Sequence, residues 1–280
     1  MTLALAVVLG YILATVLLSW LYFRRYGVAR PPLGTINLWD VGVIMGGVIL
    51  LPMLYTILPA WVAASLLGLA FLGVLSVAGE AVVRVRAVRW ALLALLLGGD
   101  IMAARVWGAA SPGFDALNDS LLALAAVGVA NLWAQSGMTA RAVALLGGLL
   151  AIYDVVATAW LPLTATLIAR LAGLPFAPLI GWGAGRARLG VGVGDLLLMV
   201  VFPLVMHKAF GRRAGLLALA SVVGVAGGVL AVLAWWGLPA TVPTMVVLGP
   251  LMLLHYAWWV RHRGGERTTW QYLRAEPLPL

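Results

Sequence analysis

Apolar runs of about twenty residues follow one another along almost the whole chain, and the arginines, prolines and most of the acids collect in the short stretches between them. At 1.5 Å rise per residue such a run matches the roughly 30 Å hydrocarbon core of a bilayer. Inside hydrocarbon every backbone N–H and C=O needs a partner within the protein, so runs of this length must be helical. Composition agrees. The chain is 64% hydrophobic and 10% charged, where soluble domains carry roughly 25% charged residues. The predicted fold is therefore an all-α polytopic membrane bundle, a single domain over residues 1–280 with no length left for a second, soluble one.

The breaks divide the runs into nine expected spans. Residues 2–23 form the first, and Arg24, Arg25 and Arg30 come after it, the reverse of a cleavable secretory signal. Further spans are expected at 38–58, 60–78, 90–104 and 120–134. Ser111, Pro112, Gly113, Asp115, Asn118 and Asp119 precede the fifth span and read as a turn. The run over 142–169 is too long for one crossing, and Pro162 is expected to kink or end its helix. Residues 170–189 read as a loop, followed by spans at 189–206, 214–236 and 238–260. On this division residues 1–141 supply five scaffold helices and residues 142–280 the remaining four.

Charge gives the orientation. The chain carries 18 Lys and Arg against 9 Asp and Glu, a net charge of +9. That excess could suggest nucleic acid, but the basic residues lie between apolar runs, where they control topology and meet anionic lipid, so no nucleic-acid partner is expected. Fourteen of the 18 fall on the side that would hold the C-terminus. The positive-inside rule then puts the N-terminus outside and the C-terminus in the cytoplasm. There is no cysteine, and the three histidines show no HExxH spacing, so neither a thiolate site nor a zinc-protease helix is available.

Against this apolar background two acids stand out. Asp154 follows Tyr153 in the middle of the longest apolar run, and Asp195 ends the ladder Gly190-Val191-Gly192-Val193-Gly194. A carboxyl inside a span is costly and marks a functional site by default. Asp154 lies 13 residues after Arg141 and Asp195 lies 13 residues before Lys208, so two antiparallel helices would carry them at one depth, about 20 Å from the basic side. Two close carboxyls cannot both ionise, and a pair sharing one proton is an acid and a base in one site. Gly190, Gly192 and Gly194 remove side chains just before Asp195, which allows an extended backbone there and a strand edge able to hold an unwound substrate.

Tyr153-Asp154 on a sixth span and Gly192-Val193-Gly194-Asp195 on a seventh resemble the YD and GxGD motifs of the presenilin and signal peptide peptidase family of intramembrane aspartyl proteases. Pro239-Ala240-Thr241, at the start of the ninth span, is similar to that family's PAL motif, with Thr241 in place of leucine. The resemblance covers the number of helices, the order of the motifs and most of the C-terminal half. It implies a presenilin-like nine-helix bundle and an endopeptidase that cleaves transmembrane or signal-peptide helices in the bilayer. Asp154 and Asp195 would be catalytic, Tyr153 would orient Asp154, Gly190, Gly192 and Gly194 would shape the cleft, and Pro239, Ala240 and Thr241 would line it. No metal or organic cofactor is implied. The loop between spans six and seven is too short for the cleaved loop of presenilins, so an uncut chain is expected, and the orientation is that of signal peptide peptidases. Oligomeric state stays open, a homo-oligomer included.

Two other functions use the same residues. Prepilin peptidases also carry GxGD, but they resemble a shorter bundle with a lysine soon after the motif, where this chain has Leu196, Leu197 and Leu198. A proton-coupled transporter could use two buried aspartates as a relay, although no inverted repeat is evident. Asp100, near the outer end of the fourth span, reads as an interfacial acid or half of an ion pair. Gly147-Gly148 reads as a site of close helix packing.

Overall fold

A computed structural model of the chain describes residues 2–28, 36–108, 111–161, 163–183, 188–236, 244–267 and 271. About 83% of it is helical. In chain order the helices are α1 (Thr2–Arg25), α2 (Leu38–Ile57), α3 (Ala60–Val82), α4 (Arg86–Val106), α5 (Pro112–Gln135) and α6 (Ala140–Val155). A π-helical turn over Val156–Trp160 and the short α7 (Leu163–Leu171) follow. Two strands, β1 (Leu179–Trp182) and β2 (Leu189–Gly192), then lead into α8 (Val193–Phe210), α9 (Arg212–Trp236) and α10 (Met245–Arg263).

Eight of these helices, α1 to α6, α8 and α9, are long and apolar enough to cross a membrane, as expected of a multi-pass membrane protein. The ninth long helix, α10, has 19 residues. It falls outside that group because its second half carries His255, Tyr256, Trp258, Trp259 and Arg261.

Burial orders the bundle. Of the apolar window of each helix, 72% is buried in α8 and 61% in α5, but only 17% in α4 and 6% in α2. Thus α8 and α5 form the centre. The first packs against α9, α5 and α6, and the second against α8, α1, α3, α4 and β1. On α2 the side chains of Trp39, Val43, Leu50 and Ile57 face outwards, a surface that suits lipid and not water.

Small residues decide the closest helix pair. A Cβ on Gly249 of α10 would collide with the Gly147 carbonyl oxygen of α6, and one on Gly148 would meet the Leu253 side chain at 2.7 Å. Backbone lies on backbone there, as the Gly147-Gly148 pair predicts. A second tie closes the same pair at its other end. Thr139 caps α6 by accepting the Ala142 N–H at 3.1 Å. Glu266, just beyond α10, accepts the Ala140 N–H at 2.5 Å and the Arg141 N–H at 3.1 Å. The first three orphan amides of α6 are thereby satisfied, two of them by a carboxylate placed favourably for the helix dipole.

Three expectations are corrected. Residues 111–119 are not a turn. Ser111 is an N-cap that accepts the Phe114 N–H at 3.2 Å, Pro112 takes the first helical position, and Asp115, Asn118 and Asp119 lie within α5. The 170–189 segment is not simple loop but holds β1 and the first residue of β2. The helix of the expected seventh span, α8, begins at Val193, four residues later than expected, because Leu189–Gly192 is extended. Pro162 lies outside the described residues, and the regular helix already ends before it, at Val155.

Candidate active site

Two helices end beside one cavity. Asp154 is the penultimate residue of α6, 14 residues from its start at Ala140. Asp195 lies in the first turn of α8, 15 residues from its end at Phe210. At 1.5 Å per residue those distances are about 21 and 22 Å. Both aspartates line a cavity of about 200 Å³ together with Tyr153, Thr158, Gly190, Gly192, Gly194, Thr244 and Met245. Both side chains are half-buried. On the far side α2 contributes Val48 and Pro52, and α7 contributes Thr164, Leu167 and Ile168.

Each carboxyl is held by local structure. After Val155 the helix widens, and the Leu161 N–H reaches back five residues to the Val156 carbonyl at 2.9 Å. Single π turns of this kind interrupt α-helices, frequently at functional sites. Within this one the Thr158 hydroxyl lies 3.4 Å from Asp154 Oδ1 as a long donor contact. Asp195 is the third residue of α8, where the helix N-terminus favours negative charge.

The start of α10 joins the two acids. Met245, its first residue, donates its backbone N–H to Asp154 Oδ2 at 3.1 Å. Thr244, the residue before, is buried and its side chain bonds to the Asp195 carboxyl. One helix start therefore supplies a donor to each carboxyl. Sequence reasoning missed both residues because it began the ninth span at residue 238; a threonine immediately before an apolar run was the available signal. Pro239, Ala240 and Thr241, the residues of the expected third motif, lie outside the described residues.

The glycines differ in what they permit. A Cβ on Gly190 would press on the Ile180 carbonyl at 3.0 Å and on the Leu179 side chain at 3.1 Å. At Gly192 the nearest atom would be Asp195 Oδ2 at 4.0 Å, and at Gly194 nothing lies within 4 Å. Gly190 is thus required by the packing of the hairpin, while the other two leave the cavity open beside the acid.

Strand β2 pairs with β1 in antiparallel register, with Val191 opposite Ile180 and Leu189 opposite Trp182. The ladder continues through the Val193 N–H, which donates to the Pro178 carbonyl at 3.1 Å. Alternate residues of such a strand face its partner, so Leu189, Val191 and Val193 turn to β1. The N–H and C=O groups of Gly190 and Gly192 turn the other way, on the edge that borders the cavity. Tyr153 lines the cavity beside Asp154, but the described hydrogen bonds of Asp154 come from Thr158 and Met245.

Asp100 does not line the cavity. It is fully buried and accepts the Phe176 N–H at 2.7 Å, away from the cavity. Comparison of the chain with models of known protein families, with characterised proteins and with solved structures gave no match.

Proposed function

We propose that this chain is an intramembrane aspartyl endopeptidase that hydrolyses peptide bonds of transmembrane or signal-peptide helices with Asp154, Asp195 and one water. The observation that carries this reading is that both carboxyls, borne on different helices, line one cavity together with Gly190 and Gly192 of β2, a strand that pairs on one side only. The ionised carboxyl takes a proton from water as the oxygen attacks the peptide carbonyl, and the protonated one gives its proton to the carbonyl oxygen. Collapse of the tetrahedral diol then breaks the C–N bond as a carboxyl protonates the leaving nitrogen. The pair titrates as a unit, so neither role belongs to one residue.

A substrate helix hides its peptide groups in its own hydrogen bonds and must unwind before it can be cut. Gly190 and Gly192 offer backbone donors and acceptors to the unwound stretch as an added strand. In this reading α10 is a ninth crossing, the bundle is presenilin-like, the N-terminus is outside and the C-terminus cytoplasmic.

The test is cleavage of a transmembrane peptide by the purified protein in lipid, wild type beside Asp154→Asn and Asp195→Asn. Cutting within the apolar segment that falls by about 10³-fold or more in both variants supports the dyad. Cutting retained in either variant removes it. Proton-coupled solute uptake that depends on Asp195, with no peptide cut, transfers the two acids to a transporter.

A further inference from the structure

The hairpin that leads to Asp195 is poorly specified by its own side chains. Gly181, Gly190 and Gly192 occupy three of its eight strand positions, and glycine-rich strands slip in register easily. Its position comes from elsewhere. On the edge of β1 that faces away from β2, the Asn118 amide of α5 donates to the Ala177 and Leu179 carbonyls at 3.0 and 3.3 Å. On the same edge the Gly181 N–H donates to the Asp119 carboxyl at 3.2 Å.

The two ends of the segment are held in the same way. Phe176, whose φ of 66° lies in the left-handed region, donates its N–H to Asp100 of α4. Beyond the hairpin turn, Arg188 donates twice to Asp115 of α5, at 2.8 and 3.2 Å. Asp100, Asp115, Asn118 and Asp119 are all 3% exposed or less. Asp100 and Asp119 each spend one oxygen on this segment, and the other oxygen is buried with no geometric hydrogen-bond partner among the described residues. Packing alone would favour apolar side chains at such places.

We infer that Asn118 and Asp119, backed by Asp100 and Asp115, are positioning residues for cleavage: they occupy the outer edge of β1 and hold the Gly190–Gly192 edge of β2 in one register against Asp195. This rests on the endopeptidase reading. A residue-by-residue slip of β2 would move the bound segment past the carboxyls, so the clamp determines which peptide bond is cut.

Two measurements on the full-length protein in lipid test this, using wild type, Asp119→Asn and Asp119→Leu. The first is amide hydrogen exchange over residues 176–192 without substrate. The second is mass-spectrometric mapping of the bonds cut in one transmembrane peptide, with KM and kcat. Asp119→Asn keeps an acceptor for the Gly181 N–H and should match wild type in both. Asp119→Leu should speed exchange of the Gly181 amide at least tenfold, spread cleavage over neighbouring bonds and raise KM about fivefold to tenfold.

A merely structural role would lower the amount of active enzyme and leave the cut bonds and KM unchanged, and that result overturns the inference. Should Asp119→Leu fail to fold, Asn118→Ala, which takes the donor from the Ala177 and Leu179 carbonyls, should give the same spread of cut bonds and rise in KM, with faster exchange across residues 176–192. Wild-type protein that cuts no peptide while exchange still depends on Asp119 means the endopeptidase reading has failed and the clamp only holds the fold. Exchange that ignores Asp119 while wild type cuts means the clamp has failed and the endopeptidase stands.

Discussion

The backbone N–H of Met245 points at Asp154 Oδ2 across 3.1 Å, so the first amide of α10 is aimed at the last turn of α6. A helix start leaves its first N–H groups without intrahelical partners, and here one of them is used on a carboxyl. Thr244 serves Asp195 in the same way with its side chain. Both acids are therefore held at the start of a helix that carries neither.

Removing the hydroxyl at this junction should impair chemistry more than folding. Thr244→Val keeps shape and takes the donor from Asp195. The expected loss is about tenfold in kcat, with Thr244→Ser close to wild type and thermal stability changed little. Peptide-cleavage kinetics on the three proteins check this, and an equal loss in the serine variant would contradict it.

Adding one methyl group to either strand glycine should give opposite kinds of defect. Gly190→Ala must push the Ile180 carbonyl and the Leu179 side chain aside, so melting temperature should fall together with activity. Gly192→Ala meets nothing closer than Asp195 Oδ2 at 4.0 Å. It should melt like wild type while kcat/KM falls about tenfold, because the methyl group takes space that the substrate backbone needs. Thermal unfolding measured beside cleavage separates the two.

The Arg188–Asp115 pair should show the asymmetry of a half-buried ion pair. Asp115 is 3% exposed and Arg188 26%. Arg188→Ala leaves a buried carboxyl without its donors and should cost about 1–3 kcal/mol, discounted from a fully buried pair by the access of solvent to Arg188. Asp115→Asn in the same chain should recover part of that loss. A double-mutant cycle on unfolding in detergent gives the answer, and simple additivity would show that the two side chains do not depend on each other.

Glu266 should matter through α6. Glu266→Ala uncovers the Ala140 and Arg141 amides and should cost about 1 kcal/mol, whereas Glu266→Gln, which still accepts hydrogen bonds but carries no charge, should cost less. Equal losses in the two variants would assign the effect to contacts other than the cap.

Most of the helices were legible because their signal is length. A run such as residues 60–82 needs no tertiary information to be helical in a bilayer, since hydrocarbon offers its backbone no other partner. The start of α5 was not legible as helix. Asp115, Asn118 and Asp119 look like turn residues when read alone, and only their contacts with residues 177–188 explain their place inside a helix. The strand at Leu189–Gly192 was half legible: its glycines announced extended backbone, but nothing local named β1 as its partner.

Sequence by itself determined that this chain is a multi-pass helical bundle and that Asp154 and Asp195 are the acids set deepest in its apolar runs. Hydropathy and the spacing of charges are local properties, and a bilayer turns them directly into helices and depths. Tertiary structure alone decided that the two acids share a cavity, that Thr244 and Met245 hold them, and that four polar side chains of α4 and α5 carry the hairpin beside them. Those relationships join residues tens of positions apart, and only packing brings such groups within reach of a hydrogen bond.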